Sequence, residues 1–173
     1  FGLFVEFPAN STTTQPQIFK DSMDLIDAAE ESGSEGIWLA EYHFNPVRSV
    51  LSAPVTVAAA IAARTKRVKI ELAVHVLPLR NPVQIAEEIA TLDHLSDGIL
   101  DFGIGRAAFP RKYQVYGLNY AESRERFDER LEIILKAWTI DKFSFHGQHY
   151  QFDVISVVTQ QLQTPHPHIN HEA

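Results

Sequence analysis

The chain has 173 residues, of which 45% are hydrophobic, and its 15 basic and 22 acidic side chains give a formal net charge of −7. This composition is typical of a globular protein rather than a disordered one, and a net negative charge without a basic run argues against nucleic-acid binding. No apolar stretch approaches the roughly 18 residues of a membrane span, and the lack of cysteine excludes a disulfide scaffold and a Cys-based zinc site. We therefore expect a cytoplasmic protein without a nucleic-acid or membrane partner.

Strand-like and helix-like segments alternate along most of the chain. Residues 1–7 are apolar and β-prone, and a helix is predicted over 15–32, where Phe19, Met23 and Ile26 recur at helical spacing. The same pattern then repeats three times, with a strand followed by a helix. These further strands are predicted at 36–40, 68–77 and 99–104. The helix after the first of them is predicted over 54–65. The next helix begins at Asn81-Pro82 and continues through Ile85, Ile89 and Leu92, and the last runs from Phe127 through Leu131 and Ile134 to Trp138.

The remaining segments predict the fold class. An irregular stretch is expected over 105–120, a β-excursion at about 143–160, and the lead-in to a fifth strand at Ile169. Strict alternation predicts a parallel α/β sheet with helical crossovers, and the absence of a dinucleotide-type glycine motif favours a barrel over an open sheet. A complete TIM (β/α)8 barrel takes about 250 residues. We therefore expect 1–173 to be a single domain that holds the first four to five βα units of a longer protein.

In a barrel of this kind, functional side chains lie at the carboxyl ends of the strands. Glu41, Tyr42 and His43 follow the second predicted strand directly and offer a carboxylate, a phenol and an imidazole for acid–base chemistry. The alternative is a loop in which the same side chains only bind backbone groups. The residues alone leave both interpretations open.

The third strand ends in small residues. Ala73 and Val74 leave room for a planar ring to approach the backbone, as an apolar cofactor pocket requires. Packing within the barrel is the alternative interpretation of these two residues. His75, which follows them, is interpreted as a barrel residue with satisfied hydrogen bonds rather than as a ligand.

Arg106 ends the fourth predicted strand and is followed by the small residues Ala107 and Ala108. A guanidinium group at the mouth of a barrel can bind a phosphate through two parallel hydrogen bonds, and small neighbours let that phosphate come close. The alternative is an ion pair from Arg106 to Asp101 or Glu41.

Three histidines near the end of the chain form a candidate metal cluster, His166, His168 and His171. Prolines alternate with them, and Glu172 is the nearby carboxylate. A structural zinc site takes four ligands, so we favour a solvated loop and predict no metal.

Several stretches resemble one known family in their order and spacing. They are residues 36–44, 52–54, 76–79 with 81–82, 92–96, 101–106, Tyr116-Gly117 and Ser123-Arg124. Together they resemble the N-terminal half of the bacterial-luciferase-like, flavin-dependent monooxygenases. The resemblance runs from residue 1 to about residue 169.

The resemblance implies a TIM barrel that uses reduced flavin mononucleotide (FMN) and O₂ to oxidise an organic substrate. The family's phosphate-binding arginine falls on Arg106, and its non-prolyl cis peptide, which lies against the flavin ring, falls on Ala73 and Val74. A deazaflavin such as F420 is the alternative cofactor, and we favour FMN over it. The family's other phosphate-binding groups follow strand five, beyond residue 173, so we expect the segment 1–173 alone to bind flavin weakly.

The resemblance also implies catalytic roles. The family's acidic residue falls on Glu41, which thereby borders both cofactor and substrate, and its histidine pair falls on Tyr42 and His43. Luciferases carry a catalytic histidine directly after the acid, where this chain has Tyr42. A phenol, with an ordinary pKa of about 10, is a weak base at neutral pH. We therefore expect oxidation of a substrate other than the luciferase aldehyde, with His43 or Tyr42 as a hydrogen-bond donor.

The resemblance implies partners as well. A flavin reductase supplies reduced FMN, and family members form homo- or heterodimers through the helices after strands two and three. Here the small side chains of 57–63 fit a close helix contact, and Glu87 or Glu88 is the candidate acid within it. Helix-to-barrel packing also explains these alanines.

Two other functions remain open. One is a non-catalytic subunit or a flavin-binding protein with an incomplete barrel, which Tyr42 and the chain length favour, whereas Glu41, His43 and Arg106 together favour an enzyme. The other is a metal-dependent hydrolase that uses Glu41, His43 and His75.

Overall fold

A parallel six-stranded sheet with helices on one side forms the core of the computed structural model, which describes residues 1–107 and 109–171. An antiparallel hairpin lies outside this sheet. The strands are β1 Gly2–Val5, β2 Gly36–Leu39, β3 Lys69–Leu72, β4 His75–Val76, β5 Leu100–Gly105, β6 Phe143–His146, β7 Gln151–Ile155 and β8 His168–His171. The helices are α1 Gln15–Glu31, α2 Pro54–Ala62, α3 Pro82–Leu95, α4 Pro110–Val115 and α5 Ser123–Thr139.

The strands follow one another across the sheet in chain order. β1 pairs with β2, β2 with β3, β3 with β5, and β5 with β8, all in parallel. The predicted third strand is split in two, since β4 resumes after a break and pairs again with β5, with His75 opposite Ile104. Parallel neighbours joined by helical crossovers are the building units of a TIM barrel. The predicted fold, four βα units and a fifth strand of such a barrel, is confirmed.

The helices bury the convex face of this sheet. Alternate strand residues that point toward the helices are completely buried: Ile37, Leu39, Ile70, Leu72, Leu100, Phe102 and Ile104. In α3, Ile85, Ile89 and Leu92 pack on this face as their spacing predicts. None of the helices in the described part of the chain has the length and apolar character needed to cross a membrane.

The concave face of the sheet carries polar side chains. Trp38 donates a hydrogen bond from Nε1 to Glu71 Oε2 at 2.5 Å, and Asn170 donates from Nδ2 to the other oxygen at 3.0 Å. Lys69 Nζ lies 3.5 Å from Asp101 Oδ2. These contacts join four neighbouring strands. Asp101 is therefore paired within the sheet.

The core face of α1 differs from the prediction. Phe19 is 37% exposed, whereas Ile18, Ser22, Ile26 and Ala29 are buried. Ile26 is part of the buried stripe and Met23 packs against it, so apolar spacing locates the core face of α1 but misplaces Phe19, whose place is taken by Ile18 and Ser22.

Two predicted irregular segments are ordered instead. The stretch over 105–120 contains α4, and the solvated loop predicted for the three histidines is wrong for His168 and His171, which lie in β8. β8 is held by its ladder to β5, where Phe102 pairs with Ile169. Ala108 and Glu172 lie outside the described residues.

The hairpin of β6 and β7 packs against α5. Glu129 on α5 accepts hydrogen bonds from the backbone amides of Gln148, His149 and Tyr150 at the hairpin turn, at 2.6 to 3.3 Å. Buried aromatic rings of β6, Phe143 and Phe145, join the main core.

Candidate active site at the carboxyl ends of the strands

Glu41 lies just past β2, at the carboxyl end of the sheet, and its side chain is 2% exposed. Its Oε1 lies 2.6 Å from His43 Nε2, and its Oε2 lies 3.0 Å from His75 Nδ1. The backbone amide of Val76 donates to Oε2 at 3.2 Å. One buried carboxylate therefore lies between two imidazole rings, one from the loop after β2 and one from β4.

These neighbours keep Glu41 ionised. Burial alone would raise the pKa of Glu41, but the contacts with His43 and His75 outweigh burial and hold it well below its ordinary value. An ionised carboxylate only accepts hydrogen bonds, so His43 must carry a proton on Nε2. Its Nδ1 is therefore the acceptor nitrogen while the ring is neutral.

Tyr116 occupies that second nitrogen of His43. Its hydroxyl lies 3.2 Å from His43 Nδ1, and the two rings meet edge to face at a centroid distance of 5.5 Å. Burial, together with the charge of Glu41, raises the pKa of Tyr116, so the phenol stays protonated and donates. A hydrogen-bonded series thus runs from Glu41 through His43 to Tyr116, whose side chain reaches the surface.

Tyr42, although adjacent in sequence, points away from this series. Its hydroxyl donates to Glu6 Oε1 at 2.5 Å, and Arg48 Nη2 contacts both oxygens of Glu6 at 2.6 and 2.7 Å. The hydrogen bond to Glu6 raises the pKa of Tyr42. Tyr42 and His43 are therefore separated into two hydrogen-bonded groups.

His75 is completely buried, and its ring lies tilted against Phe102 at 5.9 Å. Its Nδ1 is close to Glu41 Oε2 but poorly aligned for a hydrogen bond, and its Nε2 has no hydrogen-bond partner among residues 1–107 and 109–171. The interpretation of His75 as a residue with satisfied hydrogen bonds is therefore wrong. The contact of His75 with Glu41 is one that only the metal-dependent hydrolase interpretation of the sequence implied.

The break between β3 and β4 is the peptide bond between Ala73 and Val74, which is cis, at the position that the resemblance implied. Both side chains are partly exposed at the mouth. Val74 also packs against the end of β5, because a Cβ added to Gly105 would lie 2.5 Å from Val74 Cγ2. Only glycine lets these two strand ends come so close.

Arg106 follows β5 and is half-buried at the same mouth. Its carbonyl accepts a hydrogen bond from the hydroxyl of Tyr113, and burial raises the pKa of Tyr113 to about 12, which keeps that phenol a donor. The predicted alternative, an ion pair to Asp101 or Glu41, is wrong because those carboxylates pair with Lys69 and with the imidazoles. Within the described residues no carboxylate pairs with the guanidinium of Arg106.

A cavity of about 570 Å³ opens beside His43. Its lining consists of aromatic, polar and basic side chains: Tyr42, His43, Phe44, Asn45, Arg48, Phe109, Arg111 and Lys112. Arg48, the other basic members of this lining and Tyr116 were not predicted. Arg48 lies in the loop after β2, the others follow β5, and no motif links them to Glu41.

No group of three or more His, Cys, Asp or Glu side chains that could hold a metal ion occurs within residues 1–107 and 109–171. Glu41, His43 and His75 do meet, but the two imidazoles contact different oxygens of the carboxylate instead of turning toward a common point. Glu41 thus makes a hydrogen bond with His43 and a close contact with His75, an arrangement that suits proton transfer and orientation.

Comparison with known proteins finds relatives that match nearly the whole of this chain. The oxygenase component of a flavin-dependent trigonelline monooxygenase from Acinetobacter baylyi is 30% identical over 172 residues, which cover 98% of this chain and 47% of that protein. The crystal structure of the monooxygenase RslO1 from Streptomyces bottropensis superposes with a TM-score of 0.93 at 30% identity, over 99% of this chain and 52% of that one.

The same fold is shared by the oxygenating constituent of 3,6-diketocamphane monooxygenase from Pseudomonas putida, solved in complex with FMN, with a TM-score of 0.81 at 24% identity. It is matched over 87% of this chain and 42% of that one. The chain spans about half the length of the curated relatives that it matches. A family model described as luciferase-like monooxygenase matches residues 1–173, and the chain belongs to this family.

Proposed function

We propose that the protein is the oxygenase of a flavin-dependent monooxygenase, which uses reduced FMN and O₂ to oxidise an organic substrate. The observation that carries the proposal is the mouth of the partial barrel. There, the Glu41–His43–Tyr116 series, the Ala73–Val74 edge and Arg106 lie at the carboxyl ends of the strands, and no carboxylate of residues 1–107 and 109–171 pairs with Arg106.

The residues at the mouth fit a flavin mononucleotide. A flat tricyclic ring needs an apolar surface without projecting side chains, which Ala73 and Val74 provide. The phosphate needs a cation that is not already neutralised, which Arg106 provides. We assign these three residues to cofactor binding, with Glu41 supporting the same strand end through the Val76 amide.

Reduced FMN supplies two electrons and O₂ two oxygen atoms, of which one enters the substrate and the other leaves as water. The work of the chain is to place the reactants and to hold protons. Glu41 fixes the ring of His43 and its tautomer, and His43 in turn holds the hydroxyl of Tyr116. Because the one proton of the Tyr116 hydroxyl points to His43 Nδ1, its oxygen faces the mouth as an acceptor. When that oxygen takes up a proton from a reactant, the hydroxyl proton moves to His43 Nδ1, and Glu41 stabilises the imidazolium that forms.

The sequence prediction assigned the donor role to His43 or Tyr42. Both nitrogens of His43 are engaged, and the hydroxyl of Tyr42 is committed to Glu6. We therefore propose that Tyr42 shapes the substrate side of the mouth and that His43 acts through Tyr116.

The proposed partners are a reductase that supplies reduced FMN and a second copy of this chain or a related subunit. A groove of about 450 Å³ between α2 and α3 has small and apolar side chains on its rim, including Ala59 and the 56% exposed Leu95. Of the candidate acids, Glu88 pairs with Arg80 at 3.4 Å and Glu87 accepts from the Val158 amide at 3.4 Å. Sedimentation as a monomer at tens of micromolar would contradict the dimer.

The cytoplasmic location stays a prediction.

The function is tested with the complete protein, chemically reduced FMN, ¹⁸O₂ and a panel of organic acids and aldehydes that includes trigonelline. Mass spectrometry should find a product that has gained one ¹⁸O atom only when both flavin and O₂ are present. Turnover without label would contradict the proposal. A parallel reaction with reduced F420 should give no product.

A further inference from the structure

The cavity beside His43 has a one-sided charge. Among the described residues, its lining contains Arg48, Arg111 and Lys112 but no carboxylate. Arg48 is already neutralised, because it contacts both oxygens of Glu6. Arg111 and Lys112 form no ion pair with any of the residues 1–107 and 109–171. Two positive charges therefore face this cavity without a counterion from the described chain.

Lys112 is the more informative of the two, since it is half-buried and not a solvated surface lysine. Its Nζ lies 5.9 Å from the ring centroid of Tyr42 and 5.7 Å from that of Phe109, and 3.5 Å from the carbonyl oxygen of Glu41. Burial lowers the pKa of Lys112. A cation held in partly desolvated surroundings binds an anion more strongly than one in water.

The same cavity offers apolar surface for the rest of a ligand. Phe109 is 64% exposed and Phe44 is 42% exposed, and both rings border the cavity. Exposed aromatic rings beside free cations are typical of sites that bind a planar organic acid. Because His43 also lines the cavity, a ligand bound there lies next to the Glu41–His43–Tyr116 series.

We propose that this cavity binds the organic substrate and that the substrate is a carboxylic acid, whose carboxylate is held by Lys112 and Arg111 while its apolar part packs on Phe44 and Phe109. The role as substrate site rests on the proposed monooxygenase function. The selectivity for a carboxylate does not, because it arises from residues that are separate from Arg106 and the Ala73–Val74 edge.

The test measures binding of two fluorescent probes of equal shape, 2-naphthoate and its neutral amide 2-naphthamide, to the complete protein without flavin. We expect 2-naphthoate to bind at least about tenfold more tightly, as one hydrogen bond to a charged group provides. Lys112→Met should remove most of this preference. Lys66→Met, which removes an equally charged lysine from a distant exposed site, should preserve it.

Equal binding of the two probes to the wild-type protein would overturn the proposal, as would an equal loss in both lysine variants. Displacement of 2-naphthoate by inorganic phosphate or FMN would assign the cations to the cofactor and overturn it too. If Lys112→Met fails to fold by circular dichroism, Arg111→Gln at an exposed position gives the same readout. Acid-selective binding in a protein that shows no flavin-dependent oxygenation would contradict only the monooxygenase function.

Discussion

Two buried carboxylates lie at opposite ends of the same sheet and have different partners. Glu41, at the carboxyl ends of the strands, contacts two imidazoles and one backbone amide. Asp93, near the carboxyl end of α3 and completely buried, accepts from the backbone amides of Leu162 and Gln163 at 2.7 and 2.8 Å and from the side chain of Gln163 at 2.7 Å.

The partners of the two carboxylates indicate different roles, proton transfer for Glu41 and stabilisation of the fold for Asp93. Within residues 1–107 and 109–171, the partners of the Asp93 side chain are amides, which keep their protons, so this carboxylate ties the segment after β7 to the bottom of the barrel. Two of the partners of Glu41 are imidazoles, and one of them, His43, is hydrogen-bonded to Tyr116 at the surface. In TIM barrels generally the carboxyl ends of the strands carry activity and the opposite ends carry stability.

The largest effect is expected for Glu41→Gln. The amide presents a donor to one imidazole, so the tautomer of His43 and the orientation of Tyr116 are lost. Flavin-dependent turnover should fall on the order of 1000-fold, while the free energy of unfolding changes by about 1 kcal/mol. Glu31→Gln, at an exposed position, is the control. A loss of less than about tenfold would show that the series is not catalytic.

For Asp93→Ala we expect the opposite pattern. Three amide donors lose their acceptor, so the free energy of unfolding should drop by about 3 kcal/mol in urea titrations. Turnover per folded molecule should remain that of the wild type. Asp141→Ala, which removes an exposed carboxylate, should change neither quantity. A turnover defect in folded Asp93→Ala would mean that the two ends of the sheet are not independent.

Arg106→Met tests the cofactor side of the mouth. Loss of a charge-assisted contact to phosphate should raise the dissociation constant of reduced FMN about 30-fold, or about 2 kcal/mol. Riboflavin, which lacks the phosphate, should bind the variant and the wild type alike. An equal loss for both ligands would mean that the substitution deforms the mouth and that Arg106 does not bind the phosphate.

The smallest effect is expected for the contribution of Glu41 to the pH dependence of the free energy of unfolding. Since the pKa of Glu41 is lower in the folded state than its ordinary value of 4.5, the stabilisation is fully present above that value and is lost as the pH falls toward the folded-state pKa. Wild-type stability should therefore fall more steeply than that of Glu41→Gln between pH 5 and pH 3. Parallel curves from chemical unfolding would contradict the ionised Glu41.

Sequence patterns were sufficient for the repeating parts of the fold and for residues that directly follow a strand. Glu41, His43 and Arg106 could be named because strand ends in a parallel barrel meet at one mouth. Tyr116 could not, since it lies 73 residues from His43 along the chain in a segment without periodicity. Glu6, which fixes Tyr42, also directly follows β1 but was missed because the predicted first strand covers 1–7 and so includes it.

The measurement that tests the central claim most directly is a crystal structure of the complete protein with FMN. We expect the phosphate within about 3 Å of the Arg106 guanidinium and the flavin ring against Ala73 and Val74, with the hydroxyl of Tyr116 facing the same cavity. A flavin bound elsewhere, or a phosphate held by Lys112 and Arg111 instead of Arg106, would contradict it.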